Sequence, residues 1–181
     1  MRRKVPEAAL PEMTNVRIER RIDIPAPLLI SALGEILRSI ASQQGPWKDF
    51  SFHIDLADAG LPDVGYIAIP IALGVGPKSS EANQFPLTIS AAHHADSFPH
   101  FDGAAGVDAS GTSGAALWIG GEYGVPAKTV GAFVDSTLLR GFAQRTLENF
   151  ADDLVRACRA HIDKQEADYV RYHFVARASS N

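Results

Sequence analysis

Residues 139–162, LRGFAQRTLENFADDLVRACRAHI, contain the periodic pattern of apolar residues that matters most for the fold. Its inner positions recur every three or four residues, and arginines and acidic residues lie between them; these positions are Leu139, Phe142, Thr146, Phe150, Leu154, Ala157 and Ile162. This spacing is typical of an amphipathic helix that packs one face on a core. The sequence therefore predicts a long helix from Val130 to Ile162.

Five segments before this helix alternate apolar and polar residues with a period of two, as half-buried strands do. They are Phe50–Leu56, Gly65–Val75, Phe85–His93, Phe101–Val107 and Ala115–Tyr123. The links between them are too short for the crossovers that parallel strands require. The sequence therefore predicts five consecutive antiparallel strands.

One more strand and a helical segment precede this meander. Apolar and polar residues also alternate in Val16–Ile24, where Arg20 is the one charged residue at an inward position. The prolines of Ile24-Pro25-Ala26-Pro27 end the strand, and Leu28–Ser42 has helical spacing. Gly34 predicts a division of that segment into two short helices.

Composition narrows the class of protein. The chain has 181 residues, of which 46% are hydrophobic and 21% charged, as in a single globular domain. A net charge of -4 offers no basic surface for phosphates, so no nucleic-acid partner is expected. Met1–Glu7 has basic residues but no apolar stretch behind them, and no window is long enough to span a membrane. We therefore expect a cytoplasmic protein without a membrane span.

The two ends of the chain differ from the middle. Residues 1–14 contain prolines and charges without a period and predict a mobile leader, and residues 15–164 predict one domain. Residues 165–181 predict a C-terminal tail, whose alternation from Asp168 to Ala176 is compatible with an added strand. A homodimer could form through this tail or through the outer sheet face, where Trp118, Tyr66 and Pro70 share one parity.

Several motifs resemble those of a known superfamily. They are Phe98-Pro99-His100-Phe101-Asp102-Gly103, the run Leu117–Pro126, Gly131–Asp135, Leu138–Ala143 and the strand exit Ile22–Pro27. These are similar to motifs in uncharacterised bacterial members of the START, polyketide-cyclase and pollen-allergen superfamily (SRPBCC). The resemblance covers residues 16–163 and is strongest in the C-terminal half.

The resemblance implies an α+β helix-grip fold, in which a curved antiparallel sheet wraps around a long C-terminal helix and two short helices follow the first strand. That fold usually has six strands after the short helices, and five are counted here. Either the loop Gly76–Asn83 contains a short strand, or two strands between Ser51 and Val75 are merged in the count.

Such a fold implies a cavity between sheet and helix, and small inward residues such as Ala91, Gly103, Ala105 and Gly121 would leave room in it. The alternative is a solid core filled by Phe142, Phe150 and Leu154. With a cavity, the implied function is binding or transport of a small hydrophobic molecule that is lipid-like, aromatic or polyketide-like, without a cofactor. The expected ligand-binding residues are Ile67, Ile69, Ile71, Leu87, Ile89, His93, Leu117, Ile119, Tyr123, Phe142, Thr146 and Phe150.

Two other functions stay open: an enzyme of the cyclase or dehydratase type, and a protein-interaction module with a collapsed cavity. The catalytic candidates are His93, Tyr123 and Arg20, which have the parity of the cavity face. The histidine-rich stretch Ala91–Gly103 lacks the ligand spacing of a zinc site, so no metal is expected, and it is interpreted as a polar bend between strands.

Overall fold

The computed structural model describes residues 12–42, 51–55, 65–79, 83–93, 100–110, 114–125 and 136–178. These residues form six strands and two helices. In chain order they are β1 (Glu12–Ile22), α1 (Ala26–Ala41), β2 (Ser51–Asp55), β3 (Tyr66–Val75), β4 (Gln84–Ala91), β5 (His100–Ser110), β6 (Gly114–Val125) and α2 (Ser136–Ala178).

The strands form one sheet in the order β1-β6-β5-β4-β3-β2, and every neighbouring pair is antiparallel. Strands β2 to β6 are the five predicted strands, and β1 joins the sheet beside β6. Helix α2 packs against β1 and β6 at one side of the sheet and also against β2 at the opposite edge. Helix α2 therefore packs on the same sheet as α1 and contacts both of its edge strands. This is the helix-grip fold that the sequence predicted.

Helix α1 is continuous, so the prediction of two short helices was wrong. Gly34 lies inside the helix, and a Cβ atom there would stand 2.8 Å from Cζ of Phe85. The glycine therefore lets the Phe85 ring approach the helix backbone and does not interrupt the helix. A glycine inside a helix destabilises it by about 1 kcal/mol relative to alanine. Burial of Leu33 and of Leu37 stabilises the fold by about 1.5–3 kcal/mol each, which is more.

Helix α2 begins at Ser136 and continues to Ala178, well beyond the predicted end at Ile162. The prediction of an added strand in the tail was therefore wrong, because residues 168–176 are helical. A helix satisfies its own backbone hydrogen bonds, whereas a strand needs a free sheet edge beside it. Residues 163–169 of α2 are exposed. Neither of the described helices is long and apolar enough to span a membrane.

The predicted leader also needs a correction at its boundary. Glu12, Met13 and Thr14 belong to β1 and pair with Val125, Gly124 and Tyr123 of β6. Their own sequence has no clear alternation, and the partner strand gives them their extended backbone. The rest of the predicted leader, residues 1–11, lies outside the described residues.

Candidate functional site

The inward faces of the sheet and the two helices meet in one hydrophobic core. Most of the predicted ligand-binding residues are buried here, and all of these except Thr146 belong to this one cluster; they are Ile71, Leu87, Ile89, Leu117, Ile119, Tyr123, Thr146 and Phe150. The side chains of Ile67, Ile69 and Phe142 lie outside the described part of the structure. Inward parity therefore identified a set of residues that the fold brings together.

The packing of this core changes from one end to the other. Along β6, the exposed fraction of the inward side chains rises from 0% at Leu117 to 8% at Tyr123, and Gly121 lies between them. Along α2, it rises from 1% at Phe150 to 8% at Thr146, in the same direction. On β6 and in this part of α2 the low values lie on the side of α1, whose Glu35 contacts His161 of α2. Ala157 and Ile162, next to that contact, are 6% and 7% exposed.

We call the tightly packed part of the core beside α1 the closed end; it includes Leu33, Leu37, Leu117, Leu154 and Cys158. We call the opposite part the open end, and it consists of Ile71, Ala91, Tyr123 and Thr146. The strand register supports this grouping. Ile71 on β3 pairs with Ala91 on β4. Tyr123 on β6 pairs with Phe101 on β5, and Phe101 pairs with Ile89, which lies two residues before Ala91 on β4. Thr146 precedes His161 by 15 residues, or about 22 Å of helix.

The open end is apolar with two hydroxyl groups. Ile71 and Ala91 supply the hydrocarbon surface, and Tyr123 and Thr146 supply the hydroxyls. Burial raises the pKa of the Tyr123 phenol above its ordinary value of 10.0. The phenol therefore stays protonated near neutral pH, where it can donate a hydrogen bond to a ligand oxygen but cannot act as a general base.

Arg20 has the inward parity that the sequence predicted, but it points to α2 and pairs with an acidic residue there. Its Nε atom donates to Oδ1 of Asp152 at 2.6 Å, and its Nη2 atom donates to Oδ2 at 3.4 Å. This hydrogen bonding raises the pKa of Arg20, with further contributions from the charges of Asp152 and Glu148. Arg20 therefore joins β1 to α2. Asp152 was not predicted as a partner of Arg20, although its place beside the inner stripe of the helix was a usable signal.

His93 does not lie on the inner face, so its predicted parity was wrong. Strand β4 ends at Ala91, and Ala92 and His93 form an exposed bend beyond it. Parity determines the direction of a side chain only while the backbone stays extended. Among the residues that the structure describes, no group of three or more histidine, cysteine or acidic side chains is placed to hold a metal ion.

The outer sheet face differs from the predicted apolar patch. Trp118 is buried, because the Arg17 guanidinium lies 4.5 Å from its ring centroid and the ring packs over Gly106. Arg17 also donates to Asp108 at 3.2 Å. Pro70 is exposed, and the side chain of Tyr66 lies outside the description. The outer tryptophan is thus covered by the protein's own residues.

Comparison with known proteins gives structural matches only. No family model and no curated protein matches the sequence. The similar solved structures include the Zhui aromatase/cyclase from Streptomyces sp. R1128, with 10% identity over 83% of this chain and 96% of that chain and a TM-score of 0.49. Ara h 8.0201 has 8% identity over 84% and 99% of the two chains, with a TM-score of 0.48.

A START superfamily protein from Mycobacterium smegmatis has 13% identity over 83% of this chain and 98% of that chain, with a TM-score of 0.45. All three TM-scores lie below 0.5. The Mycobacterium smegmatis protein is described as a START superfamily protein, and START is one of the groups in the superfamily that the sequence motifs resemble.

Proposed function

We propose that this protein binds a small hydrophobic molecule between the sheet and α2, at the open end of the core. The observation that carries the proposal is the parallel rise in exposure along β6 and α2, from Leu117 to Tyr123 and from Phe150 to Thr146. These two facing elements are fully buried at one end and keep a small exposed area at the other. An apolar ligand gains about 25 cal/mol for each Å² of its surface that such a site removes from water.

The chemistry of the open end favours a ligand with an apolar body and one oxygen. Ile71 and Ala91 are suited to an aromatic, lipid-like or polyketide-like body. The protonated phenol of Tyr123 can donate to a carbonyl or hydroxyl oxygen, which would orient the ligand in the site.

Binding is favoured over cyclase or dehydratase chemistry because the three catalytic candidates do not converge. Arg20 is engaged with Asp152 on α2, His93 is exposed beyond the end of β4, and Tyr123 is buried in the core. General acid–base catalysis needs such groups within hydrogen-bond reach of the same reacting atom.

The direct test is a fluorescence titration with neutral 1-aminoanthracene. The Ala91→Phe variant adds a ring to the open end and is expected to weaken binding at least about tenfold, because the ring occupies ligand volume. Ala92→Phe is the matched control, since Ala92 is adjacent but exposed, and it should bind like the unchanged protein. Thermal melts of both variants show whether they fold. Equal affinity in all three folded proteins would contradict the proposal.

A further inference from the structure

A concavity lies between α1 and the segment that follows β3. Its volume is about 760 Å³, within the range of small-molecule sites. Gly34 and Phe85 form part of its floor, and Pro27 and Ile30 of α1 add apolar surface. We call this concavity the α1 cleft. Because Gly34 has no side chain, the Phe85 ring can lie directly against the helix at this point.

The α1 cleft also contains two cations, Arg38 from α1 and Lys78 from the segment after β3. Nε of Arg38 donates to the Gly34 carbonyl at 2.9 Å, which holds the guanidinium beside the cleft. Among the described residues, neither Arg38 nor Lys78 has an acidic partner, whereas Arg20 has Asp152. The two positive charges are therefore available to a ligand.

Nothing else on α1 neutralises this charge. Glu35 is next to Gly34 in sequence, but its carboxylate is 3.0 Å from Nε2 of His161 on α2. The first turn of α1 has no acidic residue, and Pro27 of that turn lines the cleft. Arg38 lies in the last turn of α1, so the positive charge in the cleft comes from the two side chains and not from the helix dipole.

We propose that the α1 cleft binds a small organic anion with an apolar body, such as an aromatic carboxylate or phosphate. The apolar body would lie on Phe85 and Ile30, and the anionic group would pair with Arg38 and Lys78. Ser31 and Asn83 also line the cleft and offer neutral hydrogen-bonding groups. The site is separate from the open end, because Phe85 and α1 lie at the opposite end of the sheet from Ala91 and Tyr123.

The experiment is a calorimetric titration of the full chain with 2-naphthoate and 2-naphthyl phosphate, and with neutral 2-naphthol for comparison. The double variant Arg38→Glu/Lys78→Glu is expected to weaken binding of either anion at least about tenfold, since two charge pairs are lost. Raising the salt concentration from about 0.01 M to about 1 M should also weaken binding in the unchanged protein, because exposed charges are screened. Whichever of the two anions binds with higher affinity shows whether the cleft prefers a carboxylate or a phosphate group.

Two controls are matched to these changes. Arg21→Glu reverses an exposed charge on β1, outside the cleft, and should leave anion binding unchanged. Ser31→Trp fills the cleft without changing its charge and should also weaken anion binding, whereas Ala160→Trp, on the exposed surface of α2, should not. Because Ser31 is exposed, its substitution tests the site even if the double variant does not fold.

The outcomes separate this proposal from the one for the core. If Ala91→Phe abolishes 2-naphthol binding and leaves Arg38-dependent anion binding intact, both sites exist. If 2-naphthol does not bind but the anions bind in an Arg38-dependent manner, only the cleft proposal stands. Anion affinity that is equal in the unchanged and charge-reversed proteins would overturn the cleft proposal. So would Arg38-dependent binding of a glutamate-rich peptide without binding of either naphthyl anion.

Discussion

The closed and open ends of the core are built from the same strands and the same helix, but their packing differs. At the closed end, leucines from α1, β6 and α2 are inaccessible to water, as Leu33, Leu117 and Leu154 show. At the open end, α1 is absent and Tyr123 and Thr146 keep a small exposed area. The comparison indicates that α1 supplies much of the packing at the closed end.

The largest difference between the two ends is expected in thiol chemistry. Burial raises the pKa of Cys158 to about 12, so only about one thiol in ten thousand is ionised at pH 8. Cys158 should therefore react with a thiol reagent such as DTNB only after unfolding. A cysteine placed at the open end, Thr146→Cys in a Cys158→Ala background, should react at least about tenfold faster in the folded protein. Equal rates would show that the two ends are equally closed.

The same pKa shift predicts a loss of stability at high pH. The unfolded thiol ionises near its ordinary pKa of 9.0 and the folded thiol near 12, so the unfolded state loses its proton first. Stability should therefore fall between pH 9 and pH 12, by up to about 1.4 kcal/mol per pH unit from this group. Urea unfolding of the unchanged protein and of Cys158→Ala in this range measures the contribution. Parallel curves would contradict the assigned burial.

Core truncations should also cost more at the closed end. Leu33→Ala is expected to reduce the free energy of unfolding by about 3–4 kcal/mol, because the surrounding residues leave a sealed cavity. Ile71→Ala should cost about 1 kcal/mol less, because solvent can reach the space that it leaves. Urea unfolding measures both. Equal losses, or a larger loss for Ile71→Ala, would contradict the distinction between the ends.

Gly121 marks the boundary between the ends on β6, and its neighbour Gly120 provides a control. A Cβ atom on Gly121 would collide with the backbone of Asp102 and Gly103, whereas a Cβ atom on Gly120 would meet its nearest atoms at 3.6 Å. Gly121→Ala should therefore destabilise the protein by about 1–3 kcal/mol, and Gly120→Ala by no more than about 0.5 kcal/mol. Thermal denaturation of both variants checks this, and similar losses would mean that the two strands are not in close contact at Gly121.

The smallest effect is expected for the pair Arg20–Asp152, which links β1 to α2. The two side chains are 34% and 49% exposed, so solvent screens their attraction. A double-mutant cycle with Arg20→Met and Asp152→Asn should give a coupling energy of about 0.5–1 kcal/mol that decreases in high salt. A coupling energy near zero would mean that this contact does not help to hold α2 against β1.

The sequence predicted most of the fold because apolar residues recur with a period of two in half-buried strands and of three to four in amphipathic helices. Inward parity located Leu87, Ile89, Leu117 and Ile119 correctly, since each lies inside an extended strand. It failed at His93, where β4 had already ended. It also failed for the tail, because alternation at Val170, Tyr172 and Phe174 does not say whether a sheet edge is free to receive them.

The candidate site could be predicted only in part. Strand parity grouped Ile71 and Tyr123 with the core residues, and helical spacing did so for Thr146. How much of each side chain stays exposed depends on how the sheet and helices pack. Contacts between distant segments, such as Arg20 with Asp152, depend on the angle between sheet and helix. The α1 cleft depends on the approach of Phe85 to Gly34, which no local pattern encodes.

The claim that a ligand enters at the open end is tested most directly by methyl NMR during titration with 1-aminoanthracene. With the isoleucine and leucine methyl groups labelled and assigned, saturable shifts are expected at Ile71, and no shifts are expected at Leu33 or Ile36 of α1. Shifts confined to the methyl groups beside α1, or no shift at Ile71 at saturating ligand, would contradict it.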